Sequence, residues 1–438
     1  MPSALNTGDT AWLLTSAALV LLMIPGLAFF YGGMVRSKSV LNMLMMVMGA
    51  LFVVGILWVL VGYSMAFGDS YGQLGLLGNV TQYLGLDGLM ADNSEAVYPA
   101  MAFVAFQAMF ACITVALVAG AIADRMRYGV WLVFAGVWAV FVYFPVAHWV
   151  FDLNGENGGW IYKLGVIDFA GGTAVHINAG IAGLVMAVLL GRRIGWPKTP
   201  MRPHNLTLVM IGAALLWFGW FGFNAGSATA ANNTAAVAFL NTFAATCAAA
   251  LGWLLTERLR DGHATSLGAA SGVVAGLVAI TPACASVSPI GAMAIGVIAG
   301  VLCALAVGLK YRLKVDDSLD VVGVHLVGGL VGTLLIGLFA TAESPTGVDG
   351  LLYGGGFEQL GKQAIGAGAV LGYSLVITLV IGLIIKAIVG LRVSPEEEVS
   401  GIDLAVHAES AYELGESGGG GVFAGVGHAA RAKSEVHS

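Results

Sequence analysis

The chain has 438 residues, 58% of them hydrophobic and only 10% charged, with a net charge of −6. A soluble domain carries roughly 25% charged residues, so this is an all-α polytopic membrane protein rather than a soluble enzyme. No basic stretch is interleaved with aromatics, which leaves nucleic-acid binding without support.

No Lys or Arg precedes the first apolar run and Asp9 sits just ahead of it, so no cleavable signal peptide is expected. Runs of about 20 apolar residues, enough to cross a bilayer, fall near 11–33, 41–67, 99–123, 129–151, 169–190 and 206–226. More follow near 234–255, 266–282, 289–309, 321–340 and 364–390. These predict eleven transmembrane helices, least well bounded across 266–309, and an odd number places the termini on opposite sides. Arg36 and Lys38, Arg125 and Arg127, Arg192 and Arg193, Arg258 and Arg260, and Lys310 and Arg312 all follow odd-numbered spans. The alternate loops hold only Lys163 and Lys362. Basic loops stay inside, so the N-terminus is expected outside and the C-terminus in the cytoplasm of a cell-membrane protein. Residues 1–392 form the membrane domain and 393–438 a cytoplasmic tail, whose Gly-rich part from Gly418 is expected to be disordered. Pro25 and Pro145 lie within spans and predict kinks there. Cys112, Cys247, Cys284 and Cys303 form no CxxC pair and read as buried thiols.

Two spans carry ionisable residues, which are costly inside a membrane. The fifth opens with Asp168-Phe-Ala-Gly-Gly-Thr-Ala-Val-His176-Ile-Asn-Ala-Gly180, the tenth with Asp320-Val-Val-Gly-Val-His325. Aligned on the histidines, residues 175–183 match 324–332. The fifth span runs inward and the tenth outward, as an inverted five-plus-five repeat requires, with the pair meeting near the midplane. Phe29 to Gly33 in the first span echoes Phe221 to Gly226 in the sixth, which leaves the eleventh span outside the repeat.

A lone histidine between helices is usually a satisfied hydrogen-bonder, whereas a matched pair favours a role in a pore. Two neutral imidazoles can share one N–H···N bond and keep an outer donor and acceptor for a small polar molecule. Asp168 can cap its helix or favour a nearby cation, and both readings stand at this point. Asp320 reads as structural. Phe103, Phe106, Gln107, Phe110, Trp149, Phe151, Phe221 and Phe223 fit packing, an interfacial belt or a cation–π vestibule equally well.

The stretch from Asp168 to Gly180 resembles the signature of the ammonium transporter (Amt/Mep/Rh) family. So do Phe110-Ala-Cys-Ile-Thr114, Trp220-Phe-Gly-Phe-Asn-Ala-Gly-Ser227 and Asp320 to His325, in the same order along residues 12–412. The resemblance implies an eleven-helix pore in each subunit of a homotrimer. It implies that Phe110 and Phe223 form the stacked gate, that Ser227 supplies the hydroxyl of an outer ammonium site, and that His176 and His325 line the pore. Asp168 corresponds to the acid beside that site. Ser400 to Tyr412 resembles the tail that responds to PII-type signal proteins. Phe151 departs from the family, standing where many relatives have a tryptophan. Phenylalanine is the weaker cation–π partner, so either recruitment is weaker or Trp149 contributes.

The expected activity is conduction of ammonium or ammonia, with methylammonium as an analogue and with no cofactor, metal or enzymatic step. The cation would collect at Phe110, Phe151 and Ser227, lose its proton, and pass as ammonia along His176 and His325. Potassium cannot shed a proton, so deprotonation confers selectivity. An ammonium sensor signalling through the tail is the alternative. A redox enzyme with the histidines as haem ligands has no other haem-site feature behind it.

Overall fold

Within a bilayer every backbone N–H and C=O must be paired inside the segment, which leaves helices or closed barrels. A computed structural model describes residues 5–91 and 96–412 and contains helices with three isolated bridges, and no β-strand among those residues. Ten helices are long and apolar enough to cross a membrane. They are α1 (Thr7–Met34), α2 (Val40–Phe67), α3 (Ala100–Ile122), α4 (Tyr128–Phe151), α5 (Gly172–Leu190), α6 (Leu206–Gly226) and α7 (Asn233–Asp261). After a shorter apolar helix, α8 (Ser266–Ile280), come α9 (Pro289–Leu313), α10 (Val322–Phe339) and α11 (Glu358–Ile388). Side-chain oxygens of Asn6, Asn205, Asn232, Thr265 and Ser288 cap α1, α6, α7, α8 and α9 by accepting free N–H groups of the first turn.

The departures from the sequence reading have local causes. Helix α7 continues to Asp261, past the apolar run, because Glu257, Arg258 and Arg260 can extend a helix into solvent. Helix α8 has 15 residues, about 22 Å of rise, less than a hydrocarbon core of about 30 Å. The turn that follows, residues 281–287, is buried in protein throughout, which is where irregular backbone is tolerated at membrane depth. Pro145 has no N–H to give to the Phe141 carbonyl. A π-helical stretch, Ala139–Tyr143, precedes it, and the Phe141 oxygen accepts the Tyr373 hydroxyl at 2.7 Å instead. Of the four cysteines, all free, Cys247 is only half-buried.

Small residues let backbones meet. Helices α1 and α6 lie so close that a Cβ on Gly212 would stand 2.6 Å from the Phe30 Cα. Between α5 and α10, a Cβ on Gly180 would stand 2.5 Å from the Leu326 nitrogen. Large exposed side chains such as Phe52, Ile56, Phe141, Phe218 and Leu251 are apolar, as a lipid-facing surface requires.

The end of the bundle that carries the basic loops is stitched by buried charge. Arg193 bonds the Asp316 carboxylate through Nη2 at 2.8 Å and Nε at 3.0 Å, and Asp124 through Nη1 at 3.1 Å. Arg125, fully buried, donates to the carbonyls of Gly191, Ala123, Ala121 and Asp316 and to the Ser318 hydroxyl. The first part of the tail packs onto this end. Helix α12 (Pro395–Ser400) starts with a capping box of Ser394 and Glu397, and Asp403 accepts from the N–H groups of Leu41 and Asn42 at the start of α2. The Gly-rich stretch lies outside the described residues.

Candidate functional site

Asp168 builds the entry to α5. Its Oδ1 accepts from the N–H groups of Gly171 at 2.8 Å and Gly172 at 2.6 Å, and its Oδ2 from Thr173 N–H at 2.8 Å and from the Thr173 hydroxyl. Gly171 makes this hook possible at φ 120°, a conformation that side-chain-bearing residues avoid. Gln363 of α11, fully buried, ties down the same turn, accepting from Ile167 N–H at 2.7 Å and donating to the Ile167 carbonyl at 2.7 Å. The cap reading of Asp168 is therefore visible in the geometry. Asp320 does not cap α10; it pairs with Lys310 at 2.6 Å, and Asp317 takes the N–H groups of Val321 and Val322.

Both histidines sit on π-helical turns, Gly172–Ile177 and Val322–Leu326. A π turn widens the backbone ring locally and recurs at functional positions. The close approach at Gly180 brings the two turns together, so His176 Nδ1 and His325 Nδ1 lie 3.3 Å apart with ring centroids at 5.3 Å. Because each bond needs one donor and one acceptor, the two rings hold different tautomers at these nitrogens. His176 Nε2 is buried without a hydrogen-bond partner.

Above the pair stands a column of rings. Phe223 lies 6.2 Å from His176, and Phe110 stacks on Phe223 at 4.1 Å with planes 21° apart. Phe151 meets Phe110 edge-on at 6.1 Å. Phe110 and Phe223 are each 1% exposed, so their stacked rings leave no open gap between the two sides. Below them is a narrow cavity of about 10 Å³ bounded by Met23, Leu27, Ile113, Trp220, His176 and His325, near the minimum that one water requires.

On the far side of Phe110, away from the basic end, a vestibule of about 640 Å³ opens. Phe110, Phe151, Asp168 and Ser227 line it, together with Phe103 and Gln107. The Ser227 hydroxyl donates to the Phe223 carbonyl at 2.8 Å and keeps its lone pairs for a donor. The structure thus gathers Phe110, Phe151, Ser227 and Asp168 at one cavity and Phe223, His176 and His325 at the other, joined through the Phe110–Phe223 stack.

Trp149 is not part of the vestibule. Its indole N–H donates to the Leu76 carbonyl at 2.7 Å and its ring packs on Trp160 and Tyr373. The indole nearest the column is instead Trp220, stacked on His176 at 5.4 Å and anchored to Thr281 at 2.8 Å. Its spacing of three from Phe223 puts both on one helix face, a signal present in the sequence. Tyr63, Phe67 and Tyr98, from distant segments, and Asp152, the chain neighbour of Phe151, also line the vestibule, and no spacing announces them.

A bundle of apolar helices encloses an aromatic stack and a buried histidine pair, with an open chamber on one side, and defines a polytopic membrane protein. The family described as Ammonium Transporter Family matches residues 11–412. The chain is 63% identical to the ammonium transporter of Mycobacterium tuberculosis strain H37Rv, covering 94% of this chain and 91% of that one. It is 50% identical to the ammonium transporter of Aquifex aeolicus, covering 94% of each. Among solved structures it superposes on Saccharomyces cerevisiae Mep2 with a TM-score of 0.84 at 35% identity, covering 94% of this chain and 93% of that one. A structure titled Sensor Amt Protein gives a TM-score of 0.84 at 30% identity, covering 91% and 98%. The chain belongs to the ammonium transporter family and is a membrane transport protein, not an enzyme.

Proposed function

We propose that the protein conducts ammonium, as ammonia, along the path from the vestibule through the Phe110–Phe223 stack to His176 and His325. The observation that carries this is the uninterrupted column: Phe151, Phe110, Phe223, His176 and His325 follow one another at contact distances. Ammonium collects against the faces of Phe110 and Phe151, which attract cations, and gives a hydrogen bond to Ser227. Carrying full charge through the closed stack is costly, so the proton is left behind. Ammonia then enters the narrow cavity, where the paired imidazoles offer it a donor and an acceptor in turn. Asp168 holds the turn that sets His176, and its partly exposed carboxylate adds negative potential to the chamber. The eleven helices, α8 included, each cross the bilayer, with the vestibule outside and the basic end and tail in the cytoplasm. Two matched π turns support the inverted repeat. The assembly is a homotrimer in the cell membrane, and the docked tail is the surface for a PII-type signal protein.

Uptake of radiolabelled methylammonium into proteoliposomes tests this reading. The wild type should accumulate label, and His176→Ala and His325→Ala should lose most of it while eluting as folded oligomers. Wild-type rates in both variants would remove the histidines from the path. Absence of uptake by the wild type would favour the sensor alternative, in which occupancy of the site is read out through the tail.

A further inference from the structure

Next to Phe151 the vestibule holds a carboxylate that the conduction path does not use. Asp152 follows the last residue of α4, lines the chamber, and is only 5% exposed. Its Oδ2 has no hydrogen-bond partner. His148, one turn back, lies 3.4 Å from that oxygen but faces the Ala66 carbonyl at 3.0 Å. A carbonyl can only accept, so His148 Nδ1 carries a proton that is committed to Ala66. A buried carboxylate oxygen with an unfilled valence is costly, and it is retained here beside the outer face of the aromatic column.

We propose that Asp152 is an additional cation-binding residue of the outer vestibule, accepting an N–H of ammonium at Oδ2 and making capture of the cation depend on its own ionisation. This rests on the conduction reading given above for the substrate, but not on the histidines. Phe151 offers only a ring face, whereas a carboxylate supplies full charge and directional acceptance. Binding at Asp152 needs no bond to break: the ion gives a hydrogen bond to the ionised carboxylate, and a proton on Oδ2 blocks that bond.

The surroundings tune Asp152 into the physiological range. Burial, reinforced by the Asp69 carboxylate, pushes its carboxyl up to about 7 against the Asn154 backbone N–H and Lys163, which favour the ionised form. His148 and Tyr63 also face it, and Asp168 shares the chamber. Above pH 7 the carboxylate is ionised and holds the cation; as pH falls through 7 it protonates and the affinity goes.

Two measurements test the proposal: the half-saturating methylammonium concentration for uptake, and equilibrium binding of methylammonium chloride to the detergent-solubilised protein by calorimetry, each between pH 6 and 8. If only the ionised form binds, the half-saturating concentration of the wild type rises about tenfold from pH 8 to pH 6. Asp152→Asn should raise it several-fold at pH 8 and flatten the pH profile, with the larger effect on half-saturation than on maximal rate. Asp152→Glu, which keeps the charge, should retain a slope. Lys163→Met provides a second arm that does not alter the carboxylate: it removes a charge that lowers the Asp152 pKa, so the profile should move to higher pH. Equal affinities and equal pH profiles for wild type, Asp152→Asn and Lys163→Met would overturn the proposal. Binding that follows Asp152 in a protein without uptake would uphold Asp152 and refute conduction.

Discussion

Truncation of Asp168 separates a structural role from an electrostatic one. In Asp168→Ala the N–H groups of Gly171, Gly172 and Thr173 lose acceptors at 2.6–2.8 Å, and the Thr173 hydroxyl loses its partner as well. Gly172 and Thr173 are buried, and each orphaned buried donor costs about 1–3 kcal/mol. Gly171 is buried as well, so the total should reach at least about 3–5 kcal/mol, above the usual loss of an N-cap. Thermal unfolding of purified protein in detergent, followed by tryptophan fluorescence, should show a drop in midpoint of about 3–5 °C. Conduction should fall with it, because His176 sits on the turn that Asp168 anchors. Asp168→Asn keeps one acceptor oxygen but points an NH₂ at donors, so it should lie between Ala and the parent. A fully stable Asp168→Ala variant that conducts nothing would refute the cap argument and assign the residue to the cation alone.

Other perturbations follow from the same geometry. Arg193→Ala leaves Asp124 and Asp316 buried with their main partner gone, which should destabilise the protein by about 3–5 kcal/mol; a variant with the parental unfolding midpoint would contradict this. Burial works against ionisation of Asp316, but the hydrogen bonds and charge of Arg193 hold its carboxyl below the usual range. Its contribution to stability is therefore present above about pH 4 and lost as pH falls through the depressed value, a loss that a midpoint scan from pH 6 to 3 would show. Gly180→Ala places a Cβ against the Leu326 backbone, should cost about 1–3 kcal/mol, and should slow methylammonium uptake by parting the histidine turns. Phe151→Trp supplies a stronger cation–π face and should lower the half-saturating concentration; an unchanged value would place that ring outside cation binding.

Membrane class, helix type and the identity of the paired histidines were all legible in the chain, because apolar runs and intramembrane ionisable residues are local facts of composition. So was the family, whose motifs are short and continuous. Helix ends were less legible: α7 outlasts its apolar run, since a helix stops where its hydrogen bonds stop and not where hydropathy does. Trp149 and Trp220 show the limit more sharply. Both are tryptophans in spans, yet one anchors to Leu76 and the other stacks on His176, and only packing between distant helices decides which. Asp317 rather than Asp320 caps α10 because the Lys310 ammonium lies within reach of one and the helix N–H groups within reach of the other. Asp152 carried no signal at all in the sequence, where it is one polar residue past a span. Its burial, its unfilled oxygen and its place in the vestibule lining arise only when the end of α4, the loop after α2 and the α5 entry close around one chamber. Sequence determined which residues lie in the bilayer, because transfer free energy is a property of each side chain; tertiary structure decided which of them face one another, because that depends on how close glycines let the backbones come.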